Sequence, residues 1–338
     1  MRSRGAVLAA LLAISCSGRG ALEASPTVHT NAARPGERRE CAMPGWDDRG
    51  FTLEVPRSWN GASPLPLVVA FHGGGGNRGA AESVTCPGGD RASAGCLSAV
   101  ALAAGFAVVR PDGTGSRLLA RLRTWNAGGG KDGWNCTSGR ACKDGVDDVR
   151  YFDALLVEIG KQIPIDPKRI HATGLSNGAA MSHRLACERA DRIASIVAVG
   201  GSNQHAATGG ACAGGVPVLE IHGTEDPCWT YATSSEACLG DGGKKVGVAE
   251  SMEGWRLRNG CSAETDETPL ADRDPSDGTH ATLVRWRGCR ASVELVRVDG
   301  GGHTWPNGDP YFSERRIGRV THDFGSEVVI DFFRAHAK

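Results

Sequence analysis

Three side chains in this 338-residue chain have the types and the order that a serine nucleophile needs. Ser176 lies in Gly174-Leu175-Ser176-Asn177-Gly178, Asp226 in Ile221-His222-Gly223-Thr224-Glu225-Asp226-Pro227, and His303 in Gly300-Gly301-Gly302-His303-Thr304-Trp305. A serine hydroxyl is a poor nucleophile at its free pKa. A base must take its proton, and a carboxylate must orient that base. The chemistry this predicts is acyl transfer through a covalent acyl-serine. Glu225 is the alternative acid, one residue earlier. Of the ten histidines, His303 alone follows a final strand through a glycine run. His72 and His222 each precede a glycine at a strand end and read as structural. His171 reads as a buried member of a strand, and His183 lies on a helix. A negatively charged tetrahedral intermediate also needs donors. The backbone N–H groups of Asn177 and of Gly74, in His72-Gly73-Gly74-Gly75-Gly76-Asn77, are the candidates.

The elements around these residues follow from pattern. Residues 169–173 read as a short strand and residues 179–190 as a helix, which puts G-x-S-x-G on a strand–turn–helix elbow. Side chains two residues either side of such a serine would collide, so glycine belongs at 174 and 178. The following helix aims its free N–H groups and positive end at the serine. Residues 65–71 form a continuous apolar run, as expected of a strand buried on both faces of a parallel sheet. Further strands are read at 51–56, 106–111, 193–199, 216–221 and 293–298. Asp147 or Asp148 caps a helix whose apolar residues Val149, Phe152, Leu155, Leu156 and Ile159 fall on one face. A last helix is read from about 321 to 336. Strands separated by helices predict an α/β protein with a mostly parallel sheet and ligands at the strands' carboxyl ends. The long loop 112–144, with Trp125 and Trp134, reads as part of a substrate rim. Trp305, two residues after His303, is expected to edge the cleft and stack on flat acyl groups or sugar rings.

Composition narrows the partners and the compartment. Lys plus Arg and Asp plus Glu are 38 each, so no basic field exists to hold nucleic acid. No apolar run after the N-terminus is long enough to cross a bilayer. Twelve cysteines, several in close pairs (Cys86 and Cys96, Cys136 and Cys142, Cys228 and Cys238), favour disulfides in an oxidising compartment. Arg2 and Arg4 precede the apolar stretch 6–14, a short signal-peptide pattern. It ends in Leu12-Ala13-Ile14-Ser15-Cys16, which resembles a bacterial lipobox with Cys16 as a lipid anchor; the alternative is ordinary cleavage near Ala24. Residues 1–16 are thus read as a leader, 17–40 as a flexible tether and 41–338 as one catalytic domain. The protein is expected to be exported by a bacterium, as an extracellular chain or one anchored at the outer membrane or in the periplasm.

Several segments together resemble a known family. Ile165-Asp166-Pro167-Lys168-Arg169-Ile170, Ala172-Thr173-Gly174-Leu175-Ser176-Asn177-Gly178, His72-Gly73, Ile221-His222-Gly223-Thr224 with Asp226, and Gly301-Gly302-His303-Thr304-Trp305-Pro306 are similar to the extracellular poly(3-hydroxybutyrate) depolymerase and feruloyl esterase family. The likeness runs from about residue 50 to 335. It implies an α/β-hydrolase fold, a serine esterase mechanism, an ester as substrate, and no cofactor or metal. Gly74 stands where many relatives carry a cysteine. No separate polymer-binding domain is read, which favours feruloyl or acetyl esters of plant polysaccharide such as xylan over solid polyester. The resemblance also suits Cys187 with Cys212 as a clip on the crossover after the elbow helix, and Cys261 with Cys289 before the last strand. With Cys16 set aside, Cys41 is then the leftover thiol. A non-catalytic binding protein on the same scaffold, or a peptidase or thioesterase using the same triad, are the rival readings.

Overall fold

The computed structural model describes residues 16–18, 32–46, 48–115, 121–136, 139–236, 238 and 242–338. Most of the expected leader and the first part of the expected tether lie outside these. The strands in chain order are β1 (Cys16–Gly18), β2 (Arg38–Ala42), β3 (Gly50–Glu54), β4 (Leu65–Phe71), β5 (Ala107–Pro111), β6 (Thr114–Gly115), β7 (Arg123–Thr124), β8 (Ile165–Leu175), β9 (Ser195–Val199), β10 (Val218–Gly223), β11 (Thr265–Pro269), β12 (His280–Trp286) and β13 (Val293–Asp299). Eleven of them form one sheet in the order β1-β2-β3-β5-β4-β8-β9-β10-β13-β12-β11, and β6 pairs with β7 apart from it.

The centre of the sheet is parallel. β5, β4, β8, β9, β10 and β13 run side by side in one direction. Their sequences explain it. β4, Leu-Pro-Leu-Val-Val-Ala-Phe, is buried throughout. Leu67, Val69 and Phe71 enter the core on one face, and Val68 and Ala70 enter the core on the other. A strand of large apolar side chains gains about 1.5–3 kcal/mol for each one buried, so it goes where both faces are covered. The helices Asp148–Gly160, Asn177–Glu188 and Val248–Asn259 contribute to the first core, and Leu97–Ala103 and Ser326–Ala335 to the second. Asp147 does cap its helix, its side chain accepting from the N–H of Arg150.

Several boundaries differ from the sequence reading. β2, β11 and β12 lie in the antiparallel margins of the sheet, and apolar runs did not reveal them. β11 is Thr-Asp-Glu-Thr-Pro, largely exposed, the charged and proline-ended sequence that blunts a sheet edge. The sheet also takes in Arg38–Ala42, with Cys16 opposite Cys41 in the β1–β2 register, so ordered structure begins before the domain start at 41. The last helix begins at Ser326 rather than near 321.

Five disulfides are described: Cys86–Cys96, Cys136–Cys142, Cys187–Cys212, Cys228–Cys238 and Cys261–Cys289. The leftover role expected of Cys41 is wrong. Cys41 is disulfide-bonded, and no cysteine among the described residues is free. Among the described residues no helix is long and apolar enough to cross a membrane.

Candidate active site

β8 delivers Ser176. Its first residues are exposed and its last six buried, so the chain dives into the core just before it must turn. The turn is abrupt. Ser176 has φ 60° and ψ −120°, and the helix Asn177–Glu188 starts at the next residue. A non-glycine residue in this region stores on the order of 1–3 kcal/mol of strain. The flanking glycines are dictated by contact: a Cβ at Gly174 would lie 2.5 Å from the carbonyl oxygen of Phe71, and one at Gly178 would collide with the same oxygen. Ser176 is half-buried, while Leu175 and Asn177 on either side are buried.

The chain leaves β9 beside it through Gly200-Gly201. A Cβ at Gly201 would strike the backbone oxygen of Ser176, and one at Gly200 would come within 3.2 Å of His303 Nδ1 and 3.5 Å of Asp226 Oδ2. This glycine pair therefore lies against all three candidate residues.

β10 and β13 deliver the other two. They pair in parallel, Gly223 against Val298, so the loops after them emerge together. His303 Nδ1 donates to Asp226 Oδ2 at 2.7 Å. Asp226 Oδ1 accepts from the N–H groups of Cys228 and Trp229, both at 2.7 Å. Burial alone would raise the Asp226 pKa, but the charge of His303 and the hydrogen bonds from His222 and His303 hold it far below the usual carboxylate range. With Nδ1 donating, Nε2 of His303 is the nitrogen left to accept a proton. Glu225 is not the partner of His303; its carboxylate lies 4.0 Å from Arg319.

The glycine loop after β4 closes the other side. A Cβ at Gly73 would lie 3.6 Å from Ser176 Cβ, and Gly74, next along, is exposed. His72 anchors the loop. Its Nε2 accepts from the N–H of Gly113 at 2.9 Å and its Nδ1 donates to the Gly73 oxygen at 2.8 Å. Burial, reinforced by the charges of Arg49 and Arg123, pushes its pKa down to about 3, so it is neutral. Asp226, Cys228 and His303 are close enough to share a metal ion. Cys228, however, is in a disulfide and the other two are bonded to each other.

No protein-family model matches the chain. It is 29% identical over 197 residues to feruloyl esterase D of Neurospora crassa, covering 58% of this chain and 59% of that protein. It is 29% identical over 181 residues to feruloyl esterase B of Piromyces equi, covering 52% and 32%. Against feruloyl esterase C of Emericella nidulans it is 26% identical over 262 residues, covering 77% and 78%. The chain thus spans less than two thirds of the length of the first two. Among solved structures, an acetyl xylan esterase from Aspergillus awamori superposes with a TM-score of 0.50 at 15% identity, covering 85% of this chain and 94% of that one. The chain has the α/β-hydrolase fold.

Two of the three expected substrate-binding tryptophans are part of the packed interior instead. Trp305 is 1% exposed and donates through Nε1 to Ser326 Oγ at 3.0 Å. Trp125 is fully buried; its indole donates to the His72 oxygen, and its backbone exchanges two hydrogen bonds with the Asn177 side chain. It ties the elbow to the glycine loop and offers no face to a ligand. Trp134 is half-buried under the Lys244 ammonium, 4.1 Å from its ring centroid.

Other groups escaped sequence reasoning. Tyr311 donates its hydroxyl to the His303 carbonyl at 2.9 Å. Behind Asp226 lies a buried row of His222, Glu220 and His183. The alternation of β10 signals the first two: Glu220 and His222 stand two apart in an otherwise apolar strand.

Proposed function

We propose that this chain is an exported carboxylic ester hydrolase in which Ser176 is the nucleophile, His303 the general base and acid, and Asp226 the orienting carboxylate. The hydrogen bond from His303 Nδ1 to Asp226 Oδ2, beside the elbow that carries Ser176, supports this most directly. Ser176 Oγ attacks the ester carbonyl while His303 Nε2 takes its proton. The backbone N–H groups of Asn177 and Gly74 stabilise the oxyanion. The alcohol leaves with a proton from His303, and water repeats the sequence to free the acid. Hydrolysis of p-nitrophenyl acetate but not of a peptide anilide, lost in folded Ser176→Ala, is the expected result. Full activity of that variant would refute the assignment.

The finer reading is that the ester is a feruloyl or acetyl group on plant polysaccharide. Similarity to proteins named feruloyl esterases supports it; the buried tryptophans no longer do. The alternative is a 3-hydroxybutyrate oligomer, and kcat/KM for methyl ferulate against the trimer decides between them. Export is supported by the leader pattern and the disulfides. An anchor at Cys16 and ordinary secretion are the two forms this export could take, and the intact mass of the mature chain, with or without a diacylglycerol, decides between them.

A further inference from the structure

We propose that His222 is a positioning residue that works as a permanently charged imidazolium, lodged between two buried carboxylates, Glu220 and Asp226, so that Asp226 stays ionised and fixed toward His303. The proposal rests on the triad reading above. His222, Glu220 and Asp226 are 1%, 0% and 3% exposed, so none can draw on water for charge compensation. Both ring nitrogens of His222 face acceptors. Nε2 donates to the Trp229 carbonyl at 2.7 Å and lies 3.4 Å from Asp226 Oδ2. Since a carbonyl accepts only, Nε2 must carry a proton. Nδ1 faces Glu220 Oε1 at 3.1 Å.

The second proton depends on whether Glu220 is ionised, and its other neighbours answer that. Ser202 Oγ donates to Glu220 Oε1 at 2.7 Å. His183 Nδ1 accepts from the indole N–H of Trp255 at 3.0 Å, so its Nε2 bears the hydrogen, and this nitrogen lies 3.5 Å from Glu220 Oε2. Ser202, just after β9, donates to Glu220, and His183 on the elbow helix stands beside its other oxygen; both favour the carboxylate. A carboxylate facing Nδ1 at 3.1 Å requires a hydrogen between them, which makes the ring a cation. Among the described residues Tyr231 also packs edge-on against the ring, and burial keeps its phenol neutral. In keeping with this, burial pushes the His222 imidazole down, but the two carboxylates outweigh it and hold its pKa up to about 10.

Charge accounting gives the consequence. With His222 charged, Glu220 and His222 cancel, and Asp226 leaves one net negative charge for His303. With a neutral residue at 222, two uncompensated carboxylates would share the pocket; one would take up a proton or turn away, and His303 would lose its fixed partner.

Selective ¹⁵N-histidine NMR of the intact protein tests the charge directly. The resonance absent from the His222→Gln spectrum should show both nitrogens protonated at pH 8, well above the ~6.5 of an ordinary imidazole. His222→Gln should lower kcat on p-nitrophenyl acetate on the order of ten- to a hundredfold, less than the ~10⁴ reserved for breaking the triad itself, with KM nearly unchanged. Adding Glu220→Gln removes the second carboxylate along with its counter-ion and should restore much of kcat. A neutral-imidazole signature for His222 at pH 8 overturns the proposal, even if Ser176→Ala is inactive as the triad reading requires. A double variant no more active than the single overturns it too. If His222→Gln fails to fold, the histidine resonances that shift in Glu220→Gln are those of His222 and its neighbour His183; at least one of them should be doubly protonated at pH 8 in the wild type, and neutral signatures for all of them overturn the proposal.

Discussion

At Ser176 strain and chemistry meet in one residue. The backbone at φ 60° lifts the serine out of the helix that follows, and buried neighbours on both sides keep it there. Because the turn is held by backbone contacts at Gly174 and Gly178 rather than by the hydroxyl, Ser176→Ala should fold normally. Ser176→Ala and His303→Ala should each lower kcat on the order of 10⁴-fold, read by steady-state kinetics with the variants' circular dichroism matched to wild type. Trp305 should behave in the opposite way. Its indole is enclosed and bonded to Ser326 Oγ, so Trp305→Phe leaves a buried hydroxyl short of a partner. A stability loss of about 1–3 kcal/mol in urea unfolding is expected, with KM for methyl ferulate unchanged. A tenfold rise in KM at wild-type stability would instead place the indole in the cleft. The three candidate residues could be picked out in sequence because each is marked by glycines the backbone requires. The burial of Trp125 and Trp305 could not be, because what covers them comes from elsewhere in the chain: the indole of Trp125 from the carbonyl of His72, that of Trp305 from Ser326.

The elements differ in how openly they announced themselves, for one physical reason. Strands covered on both faces are mostly apolar, so β4 and β9 stand out in sequence, and β10 does too despite Glu220 and His222. Marginal strands such as β11 need no core-facing side chains and look like loop. The end of β9 is the least conspicuous part of the site, yet Gly200 and Gly201 set the separation between the elbow and the histidine loop. Gly200 has φ +58°. Alanine there costs about 1–2 kcal/mol for the left-handed conformation alone. Its methyl would also press on His303 Nδ1 at 3.2 Å, where a shift of about 1 Å can cost ~10²-fold in rate. Gly200→Ala should therefore lose activity out of proportion to stability. Equal wild-type kcat in a folded variant would show that the glycine pair does not set the geometry.

On the scale of the whole molecule, stability combines two closed cores, covalent clips and several buried imidazoles of fixed charge. The clip Cys261–Cys289, 28 residues apart, restricts the unfolded chain across the segment before β13. Removing it as a Cys→Ser pair should lower stability by about 3.6 kcal/mol on loop-entropy grounds. The imidazoles make stability depend on pH with a sign that can be worked out. His72 and His171 are buried and neutral. Burial, with the nearby positive charges of Arg49 and Arg123 in the first case and of His336 and Arg169 in the second, takes each pKa down to about 3. In the unfolded chain both titrate near 6.5. Below that pH the unfolded state binds protons that the folded state refuses, so stability falls with acidification. Each group contributes up to about 1.4 kcal/mol per pH unit between roughly 6 and 3. His222 acts in reverse. Its pKa is raised to about 10, so its contribution is complete below about 6.5 and is lost as pH climbs toward 10. The unfolding midpoint should therefore peak near neutral pH and fall on both flanks. His171 offers the cleanest separation, since it is buried inside β8 and stacks on Phe333, 4.7 Å between ring centroids, a contact that involves none of Ser176, Asp226 and His303. His171→Phe keeps an aromatic ring there and removes the titration. Its stability should fall less steeply between pH 6 and 4 than that of the wild type, with the alkaline flank unchanged. Parallel curves for the two proteins over that acid range would show that His171 does not carry the acid sensitivity.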